Sequence, residues 1–284
     1  MQYSLLDVID DRYQEYEGQK IMIGLSGGIN SAAVLAYLAT QIEYKPETLY
    51  LFHANFKEHS DDTIDFVKAN VTFAKKHFDN VVYEQDDISL LDFFEEQKTI
   101  FAPKFSGCTR MLKVIPMMEF MARHGVKYDL VGYVRSEMSR VKRQMARNVA
   151  GKSYPIRHLT NEDCFSIVEK TIGWYPAIYH LKWNDERILP YLDSHGHLLR
   201  PQQRNIIRKY AVRGYGYSGS PRVFKHNNCL PCKNMHQWEL FMVKMFFPDH
   251  HLNAMNTAAV TGSYWGRSPD DHSEVDTTCT VCAA

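Results

Sequence analysis

Apolar residues along the first half of the chain recur in two alternating rhythms. Residues 20–25 form a short, unbroken apolar run that reads as a buried strand, and residues 31–41 continue it with helical spacing. Residues 48–53 (Thr-Leu-Tyr-Leu-Phe-His) predict a second strand, and 61–77 a helix that Ser60 or Asp61 would cap. A third strand falls near 80–83, a helix over 113–123 closed by Gly125, and a further strand over 128–132. Strands separated by helices in this way predict an α/β fold with a doubly wound, mostly parallel sheet. The second half is less regular: a strand over 154–157, a helix over 160–171, a glycine- and serine-rich loop over 214–221, and an apolar helix over 238–247 ended by Pro248. The chain therefore divides into 1–180, an α/β domain, and 181–284, a C-terminal region with a basic stretch and cysteines. The tail from Gly262 is polar and is expected to be mobile.

Between the first strand and first helix the run breaks into Ser26-Gly27-Gly28-Ile29-Asn30-Ser31. A glycine pair after a strand lets the backbone approach an anion closely, and the opening N–H groups of the next helix supply donors and partial positive charge. Ser26 and Ser31 can add hydroxyl donors. A plain turn that needs a glycine at positive φ is the competing reading of the same residues. In a doubly wound sheet, ligands bind beyond the carboxyl ends of the strands, where this loop falls.

Composition changes the picture in two places. With 45% apolar residues the chain can build an ordinary core, and it has neither an apolar run of membrane-spanning length nor an N-terminal leader pattern, so a cytosolic protein without a membrane partner is expected. The formal net charge is zero, but it is unevenly spread. From Ser194 to Trp238 there is no Asp or Glu, while Arg200, Arg204, Arg208, Lys209, Arg213, Arg222, Lys225 and Lys233 all fall there. That stretch is either a solvated helix face or a surface for a polyanion such as nucleic acid. Six cysteines stand at 108, 164, 229, 232, 279 and 282, two pairs of them spaced Cys-x-x-Cys. In a cytosolic setting these suit metal or redox chemistry better than structural disulfides. Cys164 lies on an apolar helix stretch and reads as core, and the 13 histidines form no metal pattern.

Residues 26–31 resemble the Ser-Gly-Gly-x-Asp-Ser fingerprint of the PP-loop family of adenine-nucleotide alpha-hydrolases, with Asn30 in place of the acidic residue. Three further segments resemble its phosphoadenosine phosphosulfate reductase branch. They are Cys108 with Lys113 and Pro116; Gly132, Arg135, Glu137 and Arg140, where Met138 disturbs the spacing; and Tyr154-Pro155 followed by Asp163. The resemblance spans about residues 20 to 240 and implies a Rossmann-like, adenine-nucleotide alpha-hydrolase-like fold. It further implies an adenylyl nucleotide (ATP, AMP or a sulfonucleotide) bound at Ser26, Gly27, Gly28, Ile29, Asn30, Ser31 and Gly132, with Lys113, Arg135 and Arg140 neutralising phosphate or sulfate. Asn30 offers only a neutral amide oxygen, which weakens the case for Mg²⁺.

In many members of that branch, a cysteine at the position of Cys108 and a Cys-x-x-Cys hold a 4Fe–4S cluster. Here the resemblance implies Cys108, Cys229 and Cys232, with a tail residue such as Cys282 as fourth ligand because Gly107 replaces one cysteine of the usual pair. Zinc is the alternative occupant. Cys279 is the candidate tail nucleophile, although the Glu-Cys-Gly-x-His setting of sulfonucleotide reductases is absent. The leading expectation is a phosphoadenosine phosphosulfate reductase-like enzyme that transfers or reduces sulfur and draws on a thiol reductant. An ATP-dependent sulfurtransferase modifying nucleic acid is the second, and a non-catalytic nucleotide-binding scaffold the third. A homodimer is an assembly the sequence leaves open.

Overall fold

The computed structural model describes residues 11–101, 107–146, 151–216, 219–224, 226–227, 229–233 and 235–263. The expected tail nucleophile Cys279 and the expected ligand Cys282 lie outside the described residues. The chain forms two compact units, the first drawn from residues up to Asn55, Asp61–Asp87 and Met111–Pro176, the second from Phe56–Ser60, Ile88–Arg110 and Ala177 onward. No described helix is long and apolar enough to cross a membrane.

The first unit is built on a five-stranded sheet in the order β3-β2-β1-β4-β5, where β1 is Lys20–Gly24, β2 Thr48–Phe56, β3 Val81–Ile88, β4 Tyr128–Leu130 and β5 Lys152–Ser153. β1 pairs in parallel with β2 (Ile21 opposite Leu49, Ile23 opposite Leu51) and with β4 (Ile21 opposite Tyr128, Ile23 opposite Leu130), and β4 pairs in parallel with β5. The chain steps outward from β1 to β2 and β3, then returns to the other side of β1 as β4. That reversal is the topological switch point, and in such sheets ligands bind beyond the carboxyl ends of the strands on either side of it, here β1 and β4.

Helix α1 (Ile29–Gln41) buries most of its apolar residues, while α2 (Thr63–His77) turns Phe66, Val67, Val71, Phe73 and Ala74 inward. The start of α2 departs from expectation: neither Ser60 nor Asp61 caps it, and its N-cap residue is Asp62, without a side-chain cap bond. The helical stretch expected over 113–123 begins earlier, as α4 (Gly107–Thr109), continues through a π-helical turn (Arg110–Val114), and ends as α5 (Ile115–His124), closed by Gly125 in the left-handed conformation. Phe120 of α5 packs with Met22, Tyr50 and Phe52, which share one face of the sheet. The strand expected over 154–157 is displaced to β5, two residues earlier, and 154–157 turns instead. Helix α6 is Met138–Ala146. Helix α7 (Asn161–Thr171) packs on α1, and Thr160 caps it by accepting from the Asp163 amide while Asp163 accepts from the Thr160 amide.

The second unit is helical: α3 (Leu90–Glu96), α8 (Ile188–His195), α9 (Pro201–Arg213), α10 (Gln237–Phe246) and α11 (Pro248–Thr261). Helix α3 is absent from the sequence expectation, because seven residues carry too little periodicity to declare a helix. Pro248 ends α10 as expected and also opens α11, since a first-turn proline gives up no helical hydrogen bond. Trp183 is fully buried, with Tyr210 and Trp238 against it.

Candidate functional site

The loop leaves β1 at Leu25 and turns at Gly27, whose φ of +72° favours glycine. It enters α1 through Gly28, an extended N-cap residue whose missing side chain offers the helix no cap, and the first turn of α1 carries no carboxylate. Its positive end is therefore not neutralised by its own residues. The two serines brace the loop. Ser31 Oγ donates to the Gly28 carbonyl (3.0 Å) and accepts from the Ser26 amide (3.2 Å), and Ser26 Oγ accepts from the Gly28 amide (3.3 Å). Ser31 is buried, whereas Ser26 is exposed. Ser31 is thus an internal strut, and Ser26 Oγ lies 3.1 Å from Ser31 Oγ, so with the Ser31 proton given to the Gly28 carbonyl the Ser26 hydroxyl donates to Ser31.

Gly132, just beyond β4, lies at the switch point. A Cβ on Gly132 would fall 2.9 Å from both the carbonyl carbon and oxygen of Asn30, too close for any side chain. This direct approach of β4's exit to the loop joins two segments that the sequence read as separate motifs. Tyr133 follows; its ring stacks on Tyr154 (centroids 5.7 Å apart, planes 6° apart), and the Arg140 guanidinium lies over it at 5.9 Å. Arg140 also donates to Glu137 (2.8 Å). Arg135 is exposed and donates from Nε to the His158 carbonyl (3.1 Å). The two arginines are thus held by protein partners, and the charge of Arg140 is offset by Glu137. Burial, assisted by Arg157 and Arg135, lowers the basicity of His158.

Lys113 sits in the π-helical turn, close enough for its ammonium to disfavour protonation of His53 on β2. His53 is completely buried, its Nδ1 is 2.5 Å from the Leu25 carbonyl, and burial is the main cause of its lowered basicity. Sequence reading passed over His53, though one signal was present: a titratable residue closing an otherwise apolar strand.

In the second unit, Cys229 is buried and Cys232 half-buried on a turn in which the Leu230 amide donates to the Glu58 carbonyl (2.6 Å) and the Met235 amide to the Cys232 carbonyl (3.0 Å). Lys233 is only 3% exposed; burial lowers its basicity, and the nearby Cys108 and Cys232 oppose that effect. Cys108 and Cys232 are therefore brought near one buried ammonium. Among the described residues, however, no three His, Cys, Asp or Glu side chains gather as a group that could hold a metal ion. The ligand set expected from the resemblance also draws on Cys282, which lies outside the described residues. Cys164 is core, as expected: burial pushes its thiol up to about 12.

No protein-family model matches the chain, and no curated protein matches it. Among solved structures, the chain is similar to NMN synthetase from Francisella tularensis (16% identity, 61% of this chain and 68% of that one, TM-score 0.39). It is also similar to the U34-tRNA thiolase NcsA from Methanococcus maripaludis with its 4Fe–4S cluster (13%, 71% and 76%, TM-score 0.40). A third is the phosphoadenylyl-sulfate reductase from Candida auris in a phosphate complex (12%, 61% and 84%, TM-score 0.39). At such TM-scores the likeness decides neither reaction nor ligand.

Two expectations follow from the geometry. Gly132→Ala must displace the Asn30 backbone and should cost about 1–3 kcal/mol in urea unfolding, with amide shifts centred on 26–31. Gly24→Ala meets only Met117 Sδ at 3.8 Å and should be tolerated. In native alkylation at pH 8, Cys164 should stay unmodified. Because its folded pKa lies above the ordinary 9.0, its stabilising contribution is complete below that pH and fades as pH rises toward about 12.

Proposed function

We propose that the protein is an enzyme that binds the phosphates of an adenylyl nucleotide on the loop Ser26–Ser31. The observation that carries this reading is the uncapped, carboxylate-free start of α1 behind Gly27 and Gly28, set at the switch point and lined on its other side by Gly132. A phosphate held there accepts from backbone N–H groups at the start of α1, with the helix dipole and the Lys113 ammonium offsetting its charge. The exposed Ser26 hydroxyl adds a donor when it turns from Ser31 Oγ to the phosphate. Arg140, fixed by Tyr133 and Glu137, and Arg135 serve as clamps on a second anionic group, such as a sulfate. Ile29 and Asn30 contribute main chain, and the Asn30 amide gives a divalent cation no charged ligand.

The finer reading is a phosphoadenosine phosphosulfate reductase-like enzyme that transfers or reduces sulfur. Sulfur would be handled by cysteine, with Cys279 the nucleophile and Cys108 and Cys232 beside Lys233 a second thiol group. No step is assigned to a cluster or to zinc. A nucleic-acid-modifying sulfurtransferase is the second reading, favoured by exposed Lys209 and Arg213 on α9; Arg208 on that helix is instead paired with Asp193.

Calorimetric titration with ATP, AMP, adenosine phosphosulfate and phosphoadenosine phosphosulfate tests the proposal. At least one should bind, and Lys113→Ala should weaken that binding about tenfold, or about 1.4 kcal/mol. No binding at millimolar concentration overturns it. For ATP, chelating Mg²⁺ should change the affinity of the wild type less than about threefold, whereas Asn30→Asp should make binding clearly Mg²⁺-dependent.

A further inference from the structure

We propose that His53 is a positioning residue for the anion loop, holding its start in the conformation that presents the α1 backbone amides. Leu25 is the last residue before the loop, just past the end of β1. Its amide donates to the Phe52 carbonyl (2.8 Å), and its carbonyl lies 2.5 Å from His53 Nδ1. Both polar groups of Leu25 are therefore fixed by consecutive residues of β2, one through main chain and the other through a side chain.

The side-chain bond is required where the chain turns out of the sheet. There a buried carbonyl needs a donor, and a strut of fixed length from the neighbouring strand sets where Ser26 and Gly27 begin. The imidazole suits this task because it is rigid and, at 0% exposure, has no room to swing away. The bond requires the proton on Nδ1, so the ring is the neutral Nδ1–H tautomer, in keeping with the lowering of its basicity by burial and by Lys113. Its polar neighbours Asn55 and Asp87 are themselves joined, Nδ2 to Oδ1 at 2.8 Å. In the folded chain, loop amides held ready for an anion spare the ligand the cost of ordering them. This link to binding rests on the reading under Proposed function; the conformational claim does not.

Amide hydrogen exchange of ligand-free wild type, His53→Leu and His53→Asn separates the two. Leucine fills much of the imidazole volume without a donor, whereas the asparagine amide nitrogen falls near the position of imidazole Nδ1. His53→Leu should speed exchange at Gly27 and Gly28 at least tenfold relative to Met22 and Ile23 in β1, and His53→Asn should restore it to within about threefold. Unchanged loop exchange in the leucine variant, or equal acceleration of loop and sheet in both variants, overturns the proposal.

Should the leucine variant not fold, imidazole ¹⁵N spectra of the wild type at pH 7 decide instead. A protonated Nδ1 with bare Nε2 supports the strut and the opposite tautomer refutes it. ATP titration run alongside tells the two proposals apart. If the wild type binds no nucleotide, the proposed function falls and the exchange result still judges His53. If the wild type binds and the leucine variant binds equally well, the positioning role in binding is refuted.

Discussion

The carboxyl end of the sheet depends on one close approach of backbone to backbone, that of Gly132 to Asn30. Nothing larger than hydrogen fits on residue 132, so the exit of β4 and the loop after β1 are located against each other by contact rather than by adjustable side chains. The rest follows from that constraint. At the switch point main chain meets main chain, α1 starts there without a capping carboxylate, and Tyr133, the residue after the contact, carries the stacked Tyr154 and the Arg140 guanidinium.

Charge in this unit is distributed economically. Glu137 shares the charge of Arg140, whereas Arg135 is oriented by the neutral His158 carbonyl and keeps its charge. Lys113 is placed differently. It sits in a π-helical turn, a rare geometry often found where a helix must present a side chain at a functional position, and its ammonium reaches the surroundings of His53 beneath the loop. In the second unit a different balance holds: burial lowers the basicity of Lys233, and the nearby Cys108 and Cys232 oppose that effect.

The strands β1 and β2 and the helix α1 were legible because each combines an apolar run with a glycine break or a long helical repeat. The loop was legible because its glycines stand directly between strand and helix. Other features depend on neighbours far away in sequence. Nothing in Tyr154-Pro155 says that the strand ends just before it, since a two-residue edge strand leaves almost no pattern. Pro248 signals a helix end equally well as a helix start, and here it is both. The role of Ser31 inverts on folding, from expected ligand donor to buried strut, because the turn itself needs its hydroxyl. His53 is ambiguous in sequence, for only the fold shows that this histidine of β2 meets the carbonyl of a residue 28 positions earlier. The cysteines show the limit most clearly: the resemblance implied one ligand set that includes a tail cysteine, whereas among the described residues Cys108 and Cys232 lie near Lys233 and no group of three metal-ligating side chains gathers.

The most direct test of the account is a titration of ¹⁵N-labelled protein with ATP and AMP, following backbone amide resonances. Nucleotide bound at the loop should give progressive, saturable shifts largest at Gly27, Gly28, Ile29 and Asn30, with smaller ones at Gly132. Saturable shifts centred elsewhere, or none at millimolar nucleotide, would contradict it.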